Sequence, residues 1–383
     1  MREFLLQTFR KWLYIEDIVP LDVVMATALA SRFPEDDPIW LLLIGVSGSG
    51  KTEFIRGLKG NKVYQLDTLT AKSLISGLNE KGKKGTAGIL PDLNSKLMVI
   101  KDFTEMLRRG ENNPKDDAMS LFRGAYDGYL GGAHGSGLKL QSYMSTFGII
   151  AATTEAVDRI KIQNNDLGER FISVRMSASD DFREKLIIKA DEDTEKTGAG
   201  RVMRQELTDA MMTVFDYYDE KGHVDGIPSI SIDDRERIRS LGNFVSAFRT
   251  EVRRDRFGRI EHVPHPEVGG RLLKQLKRLA QMLGLYEAYN YSTVSRVARD
   301  CLTEKRAASI KAIYKKGKAN PHELYFSIND NSVLKTTYLA VQNEYEDLWS
   351  LGLLDLYEHG SIRNYSIKQR HLENLIISGI FDE

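Results

Sequence analysis

The stretch "IWLLLIGVSGSGKTEF", Ile39 to Phe54, runs from six apolar residues into a turn of glycine and serine, then into the helix-compatible "EFIRGLKG". Within it Gly45-Val46-Ser47-Gly48-Ser49-Gly50-Lys51-Thr52 fits the phosphate-loop spacing G-x-x-x-x-G-K-[ST] in its expected strand-loop-helix setting. Glycines at 45, 48 and 50 let successive backbone N–H groups, including those of Ser47 and Ser49, face an anion. Lys51 reaches β/γ oxygens, and the Thr52 hydroxyl can hold Mg²⁺, with Glu53 next in the chain. The pattern therefore implies a chain that binds ATP and Mg²⁺, without saying what that binding drives.

Composition narrows the setting. The chain has 383 residues, 42% hydrophobic and 28% charged, enough for two or three domains around a sizeable core. Fifty-four basic residues balance fifty-four acidic ones, so any nucleic-acid surface has to be a local patch. The single cysteine, Cys301, excludes an internal disulfide framework and a cysteine-cluster zinc site. Apolar runs are far shorter than a membrane span and "MREFLLQTFRKWLYIED" is too charged for a signal peptide, so a cytoplasmic, intracellular protein is expected.

Beyond the loop lie four more β-rich runs: 61–69, 96–103, 147–155 and 170–176. Five short apolar strands separated by helical or glycine-rich stretches predict an α/β fold with a parallel sheet. From about Ser179 to Ser292 the pattern turns helical, as in "QELTDAMMTVFDYYDE" and "RLLKQLKRLAQMLGLYEA". The expected division is an α/β nucleotide-binding domain with a helical lead-in over 1–178, a helical lid over 179–302 and a third domain over 303–383.

The phosphate loop, "KLMVIKDFTEML", "GIIAATTEAVD", "LGERFISVRM" and "PEVGGRLLKQLKRLA", in this order and spacing over roughly residues 15–300, resemble a AAA+ ATPase module. The likeness is greatest to minichromosome-maintenance helicases and related mobile-element replication ATPases. That resemblance implies a five-stranded parallel sheet with a helical lid, and a catalytic role for Asp102. Family members carry Asp-Glu after the third strand, whereas this chain has Lys101-Asp102. Strict register places Asp102 at the water-activating position; a shift of one makes it the Mg²⁺ partner and leaves the base to another group such as Glu105. Thr154 matches the polar sensor that places the attacking water. Arg170 matches an arginine finger offered to a neighbouring subunit's nucleotide, and Arg271 matches the second sensor arginine. A finger acting between subunits implies a homo-oligomer, which the resemblance makes a hexameric ring. The glycine-rich segment 126–146 falls where the family places a pore hairpin, with Lys139 and His134 near a DNA backbone.

The segment Ser332–Ile367 reads as a helix with an apolar stripe of Leu334, Tyr338, Val341, Tyr345 and Leu348, followed by a two-stranded wing around His359-Gly360. It resembles a winged helix, which implies DNA contact through Lys335, Thr336, Gln342 and Asn343 on the helix and Arg363 and Asn364 on the wing. Two functional classes follow from the resemblances: a DNA-acting, ATP-driven ring such as a helicase or replication initiator, or an ATP-controlled loader or transposition or transcription regulator with weak or no unwinding. A protein-remodelling ATPase is a more distant third.

Overall fold

A computed structural model of the chain describes residues 1–34, 37–67, 89–104, 122, 124–126, 128–133, 140–158, 170–176, 179–194, 198–331 and 336–382. The chain packs as two compact units. The first comprises 1–160, 173–229 and 278–290, and the second 161–172, 230–277 and 291–383. Their limits lie elsewhere than at 178 and 302, where the sequence pattern changes.

The first unit is built on a five-stranded parallel sheet. Its strands are β1 (Trp40–Ile44), β2 (Val63–Leu66), β3 (Leu97–Ile100), β6 (Gly148–Thr153) and β7 (Ile172–Arg175), in the order β2-β3-β6-β1-β7. Every residue of β1, β3 and β6 is buried. Both faces of the sheet are covered, which is why these strands read as continuous apolar runs rather than as alternations. Buried Trp40 ties β1 to the chain entering β6 by donating its indole N–H to the Phe147 carbonyl at 2.8 Å.

Two helices precede the sheet: α1 (Arg2–Trp12) and α2 (Val19–Ala30). All but the first residue of α2 is buried, as expected of a helix that is apolar all round. Its one carboxylate, Asp22, is held by the Arg2 guanidinium at 2.9 and 2.6 Å, yet burial still raises its pKa above the usual range. After β1 comes α3 (Lys51–Arg56), and after β7 come α4 (Asp180–Thr194) and α5 (Ala199–Asp225). Between β3 and β6 two strands, β4 (Tyr129–Ala133) and β5 (Leu140–Met144), pair antiparallel as a hairpin within the glycine-rich segment.

The second unit is mainly helical. Helix α6 (Ile232–Phe248) is followed by a small hairpin, β8 (Arg253–Arg254) with β9 (Ile260–His262), inside a region whose sequence predicts only helix. Strands of two and three residues are too short to show a period. Next come α7 (Gly270–Leu285), which runs on past the second unit's limit at 277, and α8 (Tyr291–Asp300). Then α9 (Glu304–Lys316), β10 (Lys318–Ala319), α10 (Pro321–Asn331), α11 (Tyr338–Ser350), β11 (Leu354–His359), β12 (Ile362–Ile367) and α12 (Gln369–Ser378) complete the unit. The last three strands form an antiparallel sheet in the order β10-β12-β11.

The helix expected to start near 332 begins at Tyr338, capped by the Thr337 hydroxyl, which accepts from the Ala340 N–H. Leu334 lies outside the described residues. Val341, Tyr345 and Leu348 are buried as the stripe predicts, but Tyr338 is 44% exposed, because the first turn of the real helix faces solvent. Among the described residues no helix is long and apolar enough to cross a membrane.

Candidate functional site: a glycine-rich loop at the edge of the parallel sheet

Strand β1 delivers the chain to the carboxyl edge of the sheet, between β6 and β7, and residues 45–50 carry it into α3. Gly48 and Gly50 have φ of +83° and +84°, in the left-handed region that side chains with a Cβ rarely enter. Gly45 is fixed by crowding instead: a Cβ there would lie 3.0 Å from Ser49 Oγ and 3.2 Å from Met176 Cβ. Each glycine of the motif thus has a local reason. Ser47 and Gly48 are exposed at the crest, whereas Ser49 is buried.

Lys51 folds back over the loop and donates to the carbonyls of Gly45 and Val46 at 2.7 and 2.6 Å. Burial pulls its pKa below the ordinary lysine value, opposed first by the charge of Glu155 and then by that of Asp102. The ammonium therefore sits in a partly desolvated position facing two carboxylates, where an added phosphate would gain more from it than in water. Glu53 points elsewhere, to Arg56 and Arg204 at 3.6 and 3.9 Å, so its role is in fastening α3.

The ends of β3 and β6 meet beside this loop. Asp102 follows β3 and is exposed, its carboxylate accepting from the Thr104 N–H at 3.0 Å. Lys101, which stands where the resemblance expects an acid, is drawn to Asp67 at 2.9 Å. Thr154 stands just past β6, and its N–H donates to the Thr104 hydroxyl at 3.2 Å. The same hydroxyl lies 3.1 Å from Thr153 Oγ1 and 3.5 Å from Thr154 Oγ1. Sequence reasoning singled out neither Thr104 nor exposed Glu155; only the parallel pairing of β3 with β6 brings them to one place. Arg175, at the end of β7, is held by both oxygens of Asp158 at 2.9 and 2.8 Å.

A cavity opens beside Ser49 and Gly50, walled by Tyr14, Pro20, Phe54, Met176, Phe182 and Leu186. The Tyr14 and Phe182 rings are 5.9 Å apart. Its lining is largely apolar, and the two rings pack against each other next to the glycine-rich loop.

The other expected site residues are distributed differently. Arg170 and Arg271 belong to the second unit, both half-buried, and Gln275 donates to the Arg170 carbonyl at 2.7 Å. Arg271 lies in the first turn of α7. Arg363 is exposed on β12 and pairs with Glu358 across the wing at 3.1 Å. Lys139, Lys335, Glu105 and His134 lie outside the described residues.

No protein-family model matches the chain, and no characterised protein matches it in sequence. What fold and site define together is an α/β protein whose five-stranded parallel sheet, compatible with a phosphate-loop core, presents a glycine-rich loop and a lysine at its carboxyl edge.

Proposed function

We propose that the chain is an ATP-binding and ATP-hydrolysing protein of the AAA+ type that acts on DNA as an oligomeric ring. The observation that carries this reading is the Gly45–Thr52 loop at the end of β1, with the Lys51 ammonium over it and the aromatic-walled cavity opening from it. In this reading the loop N–H groups and Lys51 bind the phosphates, and the base lies against the apolar side chains beside Ser49 and Gly50.

Thr52 and Asp102 would hold Mg²⁺. Among the described residues no group of three His, Cys, Asp or Glu side chains could hold a metal alone. A hydroxyl plus a carboxylate suits an ion that arrives with the nucleotide and keeps most of its waters. When bound, Mg²⁺ would neutralise phosphate charge. Glu155, an exposed carboxylate just past β6 whose charge reaches Lys51, is assigned here to orient and deprotonate water. Thr154, held by Thr104, supplies one hydrogen bond to the same water. Arg170 serves the nucleotide of a neighbouring copy, and Arg271 acts as the second sensor arginine.

The order α9-β10-α10-α11-β11-β12 supports the winged-helix reading of the last eighty residues. Its α11, "YLAVQNEYEDLWS", carries Glu344, Glu346 and Asp347 and no cation. Those acids are paired with Arg306, Lys305 and Arg254, and the helix offers a phosphate backbone no cation, the observation behind the alternative class, an ATP-controlled loader or regulator whose winged helix meets protein. ATP hydrolysis measured with and without single-stranded and duplex DNA, alongside strand displacement on a tailed duplex, separates the two. Stimulated hydrolysis with displacement supports the motor; stimulation without displacement supports the regulator; no hydrolysis with any DNA overturns both as enzymes.

A further inference from the structure

The hairpin β8–β9 has no part in the site above, yet it gathers arginines around one exposed aromatic ring. "RRDRFGRIEH", 253–262, holds four arginines against Asp255 and Glu261. Its tip is a built turn. The Asp255 carboxylate accepts from the Phe257 and Arg259 N–H groups at 2.8 and 2.9 Å, and those bonds hold its pKa below the usual range. Gly258, at φ +80°, takes the left-handed position of that turn.

The root is fastened in three places. Arg254 reaches Asp347 at 2.6 Å, Glu346 at 2.8 Å and the Gly258 carbonyl at 2.6 Å. Arg249, before the hairpin, grips Glu267, after it, through two bonds of 2.6 Å. Buried Arg306 holds Glu251 at 2.9 Å. A rigid base therefore carries a tip on which Phe257 is 68% exposed, with Arg256 and Arg259 at 4.8 and 5.2 Å from its ring centre.

We propose that this hairpin is a single-stranded nucleic-acid contact, in which Arg253, Arg256 and Arg259 take backbone phosphates and Phe257 stacks on a base. Charge and chemistry select the occupant. Arg256 has no acidic partner among the described residues, and the pairs Arg253–Glu261 and Arg259–Asp255 are exposed. Exposed pairs are weak enough for phosphates to displace. An aromatic ring between guanidiniums is the arrangement that holds unpaired bases without regard to sequence, since each base has a π-face. An acidic protein segment would use the arginines but gain little from an upright Phe. The proposal rests on the DNA-acting reading above and names where the second unit touches the strand, separately from the segments around Lys139 and Lys335.

The test is fluorescence anisotropy of a labelled thymidylate 20-mer with the full chain across a salt series, with ATP binding measured in parallel. Arg256→Ala and Arg259→Ala should each flatten the log–log salt slope by about 0.7. Phe257→Ala should weaken binding by roughly 5- to 150-fold at one salt concentration, with the slope unchanged, and Phe257→Trp should restore it. All four changes lie at an exposed tip and should leave ATP affinity as in the unaltered chain. Unaltered chain that binds the oligonucleotide while all four variants bind equally well overturns the hairpin and spares the DNA-acting reading. Unaltered chain that binds no oligonucleotide at low salt overturns both. Competition by polyglutamate as effective as by DNA, with no effect of Phe257→Ala, overturns base stacking in favour of an acidic protein partner.

Discussion

Arg306→Met isolates the ion network that fastens the hairpin to the C-terminal helices. The Arg306 side chain is fully buried and donates to Glu344, to Glu251 at 2.9 Å, and to the carbonyls of Phe248 and Thr250 at 2.7 and 3.0 Å. Methionine fills much of the volume but satisfies none of these acceptors. Breaking a buried pair by removing one partner costs about 3–5 kcal/mol, because the other charge stays buried without compensation. Two carboxylates are orphaned here, but Lys305 still lies 2.6 Å from Glu344, so the expected loss is near the lower end, about 3 kcal/mol. That is a large fraction of the ~5–15 kcal/mol by which domains are stable. Urea unfolding followed by circular dichroism measures it. Adding Glu344→Gln and Glu251→Gln should recover part of the loss, since neutral amides tolerate the missing cation. A loss under about 1 kcal/mol for Arg306→Met alone, or further loss on neutralising the acids, would refute the reasoning.

Two further outcomes follow from the same geometry. Glu155→Gln should reduce ATP turnover by about 10²–10⁴-fold while sparing ATP affinity, as loss of a general base does; unchanged turnover would move the base elsewhere. Buried His371 accepts from the Arg370 guanidinium at 3.1 Å, and burial lowers its pKa from the ordinary 6.5 to about 4. The unfolded chain then binds a proton that the folded chain refuses, so stability falls as pH drops from 6.5 toward 4. The loss between pH 7 and pH 5 is about 2 kcal/mol, and His371→Gln should flatten that part of the urea-midpoint profile.

The sheet was legible because parallel strands covered on both faces leave unbroken apolar runs, as in 97–100 and 148–153. The loop was legible because its glycines are dictated by backbone geometry at Gly48 and Gly50. The hairpin at 253–262 was missed although Asp-Arg-Phe-Gly is a turn signal, since its flanking strands are too short for a period. Glu344, 1% exposed, looks in sequence like one more surface acid of α11; its pairing with Lys305 and Arg306, on a helix far back in the chain, is what offsets its burial. Thr104 and Glu155 were equally invisible, because short polar residues after two strands converge only when the strands pair.

The central claim is that residues 45–52 bind a nucleoside triphosphate through Lys51. Titration calorimetry with ATP and Mg²⁺ tests it most directly, comparing the unaltered chain with Lys51→Ala. The account predicts one saturable site in the unaltered chain and loss of tight binding in the variant, whose loop lacks its only side-chain cation. Equal ATP affinity in the two proteins, or no binding by either, would contradict it.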